Sequence, residues 1–322
     1  MEQPGCRRRC AVPRVGRAVT VTGARPVPAA RGGAIVAFVI VSVVWGSTWL
    51  VIKDQISVVP PAWTITWRFV VAGLGMIAVA LVRRESLRLP PGGQAMAALV
   101  GLTQFAGNYQ FVYHAEAYLT SGVVAVLFAL LMVPNALLSA WWLGSAVTAR
   151  FLAGSAVAVL GIALLLLHEL RLSPAPGSVV MGTALSLAGL LCASCANVAQ
   201  ATERARTSAP VPFLAWAMLW GVGLNALWAL ATVGPPVFDP RPAYWGGVAY
   251  LAILGSVLPF PLYFNLIRDM GAGRAAYTSV VTPIIAMVLS TLFEGYHWSL
   301  LAVAGSVLAM AGLVIALGAR RG

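Results

Sequence analysis

Charged side chains are scarce in this sequence. Lys, Arg, Asp and Glu together make up 9% of its 322 residues, whereas hydrophobic residues make up 60%. A typical soluble domain carries roughly 25% charged residues. The chain lacks the charged surface that a soluble protein needs. Its composition therefore predicts an integral membrane protein that exposes most of its surface to lipid.

Cysteine and histidine, the common ligands of transition metals, are also scarce. The four cysteines are Cys6, Cys10, Cys192 and Cys195. The last two stand three residues apart inside an apolar run, where we expect small packing residues rather than a redox motif, and no disulfide framework is indicated. The three histidines are scattered without the spacing of a zinc site. The sequence therefore predicts no metal site and no cofactor.

Motifs of known enzymes are missing as well. The chain has only nine acidic residues, and it contains no GxSxG, HExxH or Walker A sequence. These absences disfavour a membrane-embedded enzyme and an ATP-driven pump. Two alternatives to a solute carrier stay open at this stage, namely a membrane-embedded enzyme without a familiar motif and a receptor or regulatory subunit built on a transporter fold.

Basic residues are in excess, and their positions follow a topology pattern. The formal net charge is +12, and seven of the 21 Lys and Arg residues fall in the first 31 positions. Most of the others occupy short gaps between apolar runs, without the aromatic interleaving of a nucleic-acid surface, so no nucleic-acid partner is predicted. Residues 1–32 are predicted to form a basic, disordered tail in the cytoplasm.

Apolar runs of membrane-spanning length are abundant. The predicted spans are 33–52, 62–82, 94–113, 120–143, 151–167, 179–200, 212–233, 244–267, 275–294 and 299–318. If these ten runs all cross the membrane, 17 Lys and Arg residues lie on the side of the tail and three on the opposite side. The positive-inside rule then predicts a multi-pass protein of the cell membrane with both termini in the cytoplasm.

The two halves of the chain resemble each other. "AGSAVAVLGI" at 153–162 and "AGSVLAMAGL" at 304–313 share five residues in ten at an offset of 151, and the same offset pairs Gly144 with Gly295. Because each half holds five predicted spans, an odd number, the second copy is expected to be inverted. The predicted fold is all-α, with ten transmembrane helices in two inverted five-helix repeats, 33–167 and 179–318. Inverted repeats are typical of secondary transporters.

Glycine and alanine residues of the repeated segment form a stripe of small residues on one helix face of each copy. The stripes consist of Gly154, Ala158 and Gly161 in one copy and Gly305, Ala309 and Gly312 in the other. Small residues allow helix backbones to approach closely in lipid, so this face is predicted to be structural.

Several segments resemble one family of membrane carriers. "WGSTWLVIK", "WRFVVAG", "AEAYLTSGVVAVLFALLMVPNALLSAWWLG" and "GSVLAMAGLVIAL" are similar, in this order and spacing, to the EamA type of the drug/metabolite transporter superfamily. The resemblance covers roughly residues 33 to 318. It implies a ten-helix basket around a central cavity and the transport of a small organic solute such as an amino acid or a drug, often outward.

Individual residues also match the family pattern, with one departure. Trp45, Lys53 and Arg68 correspond to the pattern of the first half. The family often ends its fourth helix in Gly-Glu, whereas this chain has Gly144 and Ser145 there. A role that depends on a glutamate at that position is therefore not implied.

Polar residues inside the predicted spans are the candidates for a substrate site. Intramembrane polar groups are rare unless they face the bundle interior or a cavity. The predicted substrate-binding residues are Trp45, Arg68, Asn108, Tyr109, Asn197, Tyr263 and Asn265. The alternative for each amide is a simple hydrogen bond to a neighbouring helix.

For Arg68, three interpretations stay open: a structural ion pair, a contact with the substrate or a coupling group, and a side chain that extends back to the interface.

Coupling and hinge residues are predicted less specifically. Glu116 and Glu294 stand near span ends and are candidates for proton coupling, although carboxylates at helix ends are often merely solvated. Prolines inside spans free a backbone carbonyl and act either as hinges or as static kinks. The hinge candidates are Pro134, Pro259 and Pro283.

Overall fold

A computed structural model describes residues 28–270 and 277–318, and it describes their side chains except at 28–32, 203, 206, 264, 265 and 267–270. Every regular element within these ranges is helical. Most of the predicted tail, residues 1–27, lies outside the described residues, as does the start of the predicted span 275–294.

The helices follow one another with short connections. In chain order they are α1 (Pro28–Gln55), α2 (Pro61–Val82), α3 (Gly93–Val100), α4 (Tyr109–Ala115), α5 (Ser121–Phe128), α6 (Met132–Leu143), α7 (Ala149–Leu172), α8 (Pro176–Ala201), α9 (Glu203–Arg206), α10 (Pro210–Thr232), α11 (Pro242–Ala249), α12 (Pro259–Met270), α13 (Thr278–Phe293) and α14 (Leu300–Gly318). Three irregular helical turns connect consecutive helices into longer helical segments. The π-helical turns Gly101–Asn108 and Tyr250–Val257 connect α3 with α4 and α11 with α12, and the 3₁₀ turn Ala129–Leu131 connects α5 with α6.

Within the described ranges, eight helices are long and apolar enough to cross a membrane, so the chain is a multi-pass membrane protein. This number counts α5 with α6, and α11 with α12, as single helices. The predicted span 94–113 is helical but is not among the eight, because polar residues such as Asn108 and Gln110 lower its hydropathy. In the predicted span 275–294, α13 is apolar but has only 16 residues.

Proline and glycine mark the helix ends. Pro61, Pro176 and Pro242 stand at the starts of α2, α8 and α11, where a missing backbone N–H removes no helical bond. Gly144 and Gly295 follow α6 and α13, and both adopt a φ of 67°. This left-handed conformation favours glycine and ends a helix. The two glycines paired by the sequence offset therefore have the same local structure.

The glycine stripes of α7 and α14 pack against each other. A Cβ placed on Gly161 would stand 2.2 Å from the backbone nitrogen of Ala309, and one on Gly312 would stand 2.3 Å from that of Ala158. The two backbones are therefore in direct contact, and no side chain larger than hydrogen fits at these positions without moving a helix. This contact joins the last helix of each half.

A second tight contact holds the π-helical turn 101–108. The Asn225 side chain of α10 donates hydrogen bonds to the carbonyls of Phe105 and Gly221, each at 2.8 Å. Gln110 donates to Asn225 at 2.9 Å. The Gln110 amide therefore bonds to a neighbouring helix, which was the alternative to substrate binding for amides inside the predicted spans. The turn ends at Asn108, directly before Tyr109, so both residues lie where the wider π-helical backbone returns to a regular α-helix.

Candidate functional site

A cavity of about 260 Å³ lies in the middle of the helical bundle. Five of the seven predicted substrate-binding residues line it, namely Trp45, Arg68, Asn108, Tyr109 and Asn197. Tyr263 is not part of its wall, but its ring contacts that of Trp45 with centroids 5.3 Å apart. The side chain of Asn265 lies outside the described residues.

Both halves of the chain contribute to the wall. The first half supplies residues from α1, α2, the 101–108 turn, α4 and α5. The second half supplies Asn197 of α8, Gly255, Phe260 of α12, and Thr282 and Pro283 of α13. The cavity therefore lies at the interface between the two halves of the chain, and neither half encloses it alone.

Aromatic rings form much of the apolar surface of the cavity. Trp45 and Phe260 meet edge to face with centroids 6.2 Å apart, and Trp49 and Phe128 are tilted at 5.2 Å. All four rings line the cavity. Rigid rings of this kind offer flat contact area with little loss of conformational entropy.

Arg68 stands at the polar side of the cavity. Its side chain is only 2% exposed. Nη1 donates to the hydroxyl of Tyr113 at 3.1 Å, and Nη2 donates to those of Tyr109 and Ser256 at 3.4 Å each. The guanidinium also lies over the Tyr109 ring, 4.7 Å from its centroid. Nε is buried without a hydrogen-bond partner.

These contacts narrow the three interpretations of Arg68. In the part of the chain that the structure describes, the two ion pairs are Arg83 with Glu85 and Arg241 with Asp239, and neither involves Arg68. The side chain is buried in the bundle and does not extend to an interface. The structure therefore pairs Arg68 with hydroxyl groups and an aromatic face, and it leaves the substrate contact open.

The two predicted coupling carboxylates stand outside the cavity wall, in different environments. Glu116 is 0% exposed, and neither of its carboxylate oxygens has a hydrogen-bond partner. It is therefore not a solvated helix-end residue. Glu294 accepts hydrogen bonds from the backbone nitrogen of Ser121 at 3.1 Å and from its hydroxyl at 2.5 Å. Glu294 thus caps the first turn of α5, where a negative charge is stabilised by the helix dipole.

Lys53 connects α1 to the end of α4 near these carboxylates. Its Nζ donates to the backbone carbonyls of Glu116 and Leu119, the latter at 2.9 Å. A cation at the C-terminus of a helix compensates carbonyls that have no intrahelical donor. We call Lys53, Glu116, Leu119, Ser121 and Glu294 the Lys53 cluster. It joins the ends of α1, α4 and α13 to the start of α5 at one end of the bundle, outside the cavity wall.

The opposite end of the cavity is lined by different groups. Asn197 lies near the end of α8, and Thr278 and Ser279 begin α13. The Asn197 amide donates to Asn135 at 3.4 Å. The cavity therefore extends from the middle of the bundle towards the end that lies away from the Lys53 cluster.

The three predicted hinge prolines occupy unlike positions. Pro283 is buried inside α13 and lines the cavity. Pro134 lies in α6, just after the 3₁₀ turn. Pro259 is the first residue of α12 and follows the 250–257 turn, so it breaks no regular α-helix. Ser279 also lines the cavity, and its carbonyl is the one that would receive the bond that Pro283 cannot donate.

Sequence reasoning missed several cavity residues. Gln104 stands four residues before Asn108, a spacing that could have revealed it as a second amide of the same helix face. Phe128 and Phe260 carry no such signal, because an aromatic residue in an apolar span resembles any lipid-facing one. Among the described residues no group of three or more His, Cys, Asp or Glu side chains is placed to hold a metal ion.

An all-helical, multi-pass protein with a polar and aromatic cavity between its two halves has the architecture of a membrane transport protein. A family model described as the EamA-like transporter family matches residues 32–167 and 179–318. The chain belongs to this family.

Relatives of the chain include proteins described as a transporter and as an efflux pump. The protein PagO of Salmonella typhimurium is 25% identical over 80% of this chain and 84% of its own length. The uncharacterized inner membrane transporter YedA of Escherichia coli is 29% identical over 79% of this chain and 80% of its own. A probable amino-acid metabolite efflux pump of Salmonella typhimurium is 24% identical over 86% of this chain and 92% of its own length. These descriptions accord with the expectation that the chain is not an enzyme.

One solved crystal structure shares the fold. It superimposes with a TM-score of 0.64 over 90% of this chain and 98% of its own, at 22% sequence identity.

Proposed function

We propose that the chain is a secondary transporter that moves a small organic solute across the cell membrane by alternating access. The observation that carries this proposal is the 260 Å³ cavity, which draws its wall from both halves of the chain. A site between two repeats can be exposed to either side when one repeat rocks against the other. Substrate contact is assigned to Trp45, Arg68, Asn108, Tyr109 and Asn197.

The proposed direction of transport is outward, and the proposed solute is an amino acid or a drug-like molecule. The support is a relative described as a probable amino-acid metabolite efflux pump. Another relative is described as an inner membrane transporter, which supports the bacterial inner membrane or its equivalent as the location. Purified protein in proteoliposomes should accumulate one or more solutes from a broad metabolite panel. No solute-dependent flux, with or without a pH gradient, would contradict the proposal.

The proposal also includes ten membrane spans in two inverted repeats, 33–167 and 179–318. Eight of these spans are the long apolar helices described above, and the other two are α3 with α4, and α13. The repeat is supported by Gly144 and Gly295, which share one φ value. It is also supported by the π-helical turns, which begin at Gly101 and Tyr250, near the repeat offset. The Lys53 cluster then lies at the outer end and the 83–93 loop faces the cytoplasm.

This topology predicts opposite accessibility for two exposed loops. After the four native cysteines are replaced by serine, Arg88→Cys should react with an impermeant maleimide only from the cytoplasmic side. Pro174→Cys should react only from outside. Labelling of intact cells and of inside-out vesicles measures both. Reaction of the two cysteines from the same side would remove the inverted repeat.

Pro283, which lines the cavity, is predicted to be a hinge, and so is Pro134. Pro283→Ala restores a helical hydrogen bond to Ser279, and Pro134→Ala supplies the backbone N–H that proline lacks beside the 3₁₀ turn. We expect each to slow transport about tenfold, which corresponds to about 1.4 kcal/mol in the barrier, with folded yield nearly unchanged. Pro176→Ala is the matched control, because this exposed proline opens α8 and blocks no helical bond. Wild-type rates in both hinge variants would identify static kinks.

A further inference from the structure

Arg68 carries a buried positive charge that the described residues compensate only in part. Its three hydrogen bonds go to the neutral hydroxyls of Tyr113, Tyr109 and Ser256. No ion pair joins Arg68 to a carboxylate among the described residues, and Glu116 makes no hydrogen bond to it. A buried ion without a directly bonded counter-ion is costly, so this site favours an anion that binds to the guanidinium.

The wall of the cavity adds no competing charge. Among its described side chains, Arg68 is the one that is charged at neutral pH, and no Asp or Glu belongs to the wall. Arg68 is therefore the one charged side chain in direct contact with the cavity. A cationic solute finds no carboxylate to pair with there, whereas an anionic solute is attracted.

One edge of the guanidinium includes a buried donor that has no partner among the described residues. Arginine has five N–H donors, and Nε uses none of its capacity here. Both bonds of Nη2 are long at 3.4 Å and can be exchanged for shorter ones. Gly255 lines the cavity beside Nη2, and even a Cβ there would keep 3.5 Å from that nitrogen. Nε and Nη2 together form the fork that binds a carboxylate through two parallel bonds.

The remaining wall fits a flat or apolar body with a few acceptors or donors. Trp45, Trp49, Phe128 and Phe260 surround the space with rings. The Asn108 carbonyl oxygen and the Thr282 hydroxyl are buried there without a hydrogen-bond partner. We infer that the transported solute is a small organic carboxylate with an aromatic or apolar body, held by the Nε and Nη2 edge of Arg68. This inference rests on the proposed function and concerns the same cavity.

Three probes of one shape and different charge test the inference in wild-type protein. They are phenylacetate, its neutral amide phenylacetamide, and the cation phenethylamine. Binding of radiolabelled phenylacetate to the purified full chain in nanodiscs is measured, and the other two compete for it. We expect phenylacetate to bind about 100-fold more tightly than the amide, since loss of one partner of a buried charge pair has about this effect. Phenethylamine should not compete.

Variants then assign the preference to Arg68. Arg68→Gln should abolish the preference for the carboxylate over the amide. Arg68→Lys should keep the sign of the preference and bind at least about tenfold more weakly, because an ammonium cannot form the fork. Arg83→Gln is the control, since it removes an exposed arginine outside the cavity. It should bind like the wild type.

Several outcomes would overturn the inference. They are no binding of phenylacetate, equal binding of acid and amide by the wild type, and a carboxylate preference that survives in Arg68→Gln. Flux of only neutral or cationic solutes in proteoliposomes would also overturn it, while the proposed transport function would stand. Absence of flux for every solute would instead count against the transport function itself.

Discussion

Replacing Gly161 by leucine is expected to prevent the protein from folding in the membrane. A Cβ at this position would stand 2.2 Å from the Ala309 nitrogen and 2.6 Å from the Gly305 oxygen, and both atoms belong to the backbone of α14. Backbone atoms cannot rotate away as a side chain can, so α7 and α14 would have to separate. The dispersion contacts along the whole stripe would then be lost, and in lipid no hydrophobic effect replaces them.

The expected magnitude is at least a tenfold loss of monodisperse protein after detergent extraction, measured by fluorescence-detected size exclusion. Overpacking typically destabilises by about 1–3 kcal/mol, and a backbone collision belongs to the upper end or beyond. Even Gly161→Ala should lower the yield, because the collision begins at Cβ.

Gly223→Leu is the matched control for this variant. Gly223 also lies inside a helix, α10, and a Cβ there would meet no atom within 4 Å. The change in chemistry and helix propensity is the same, so a loss that depends on packing should be confined to Gly161. Similar yields for the two variants would mean that the α7–α14 contact is not needed for folding.

Replacing Lys53 by methionine should open the cavity towards the end that carries the Lys53 cluster. Methionine keeps most of the length of the side chain but removes the hydrogen bonds to the carbonyls of Glu116 and Leu119. Hydrogen bonds to charged groups contribute about 1.5–3 kcal/mol each. Under the proposed alternating access, loss of even one of them shifts the balance of inward and outward states at least about tenfold towards the outward state.

The measurement uses a cysteine in the cavity wall. Ala125 is small and buried in α5 and lines the cavity, so Ala125→Cys disturbs little. In the variant without native cysteines, Lys53→Met should raise the rate of its reaction with an external impermeant maleimide about tenfold. Arg171→Met removes an exposed charge from the same predicted side and should leave the rate unchanged. Equal rates in both would show that Lys53 is not part of an outer gate.

Sequence patterns were sufficient for the features that depend on one helix at a time. Scarcity of charge predicted a membrane protein, and apolar runs predicted helices such as α1 and α2 at nearly their observed bounds. The offset of 151 predicted a relation between Gly144 and Gly295, which the structure shows as one φ value. The cost of a polar group in lipid predicted which side chains would turn inward, and five of the seven predicted site residues line the cavity.

Features that need two distant segments at once followed from the tertiary structure alone. The sequence contained the stripes at Gly161 and Gly305, but each stripe was compatible with any small-faced partner. Likewise it left an ion pair open for Arg68, whereas the folded bundle supplies the hydroxyls of Tyr113 and Ser256, and the latter is 188 positions away. Burial and helical period restrict the face on which a residue lies, but the partner opposite that face is selected by the packing of all helices together, because each close contact excludes its alternatives.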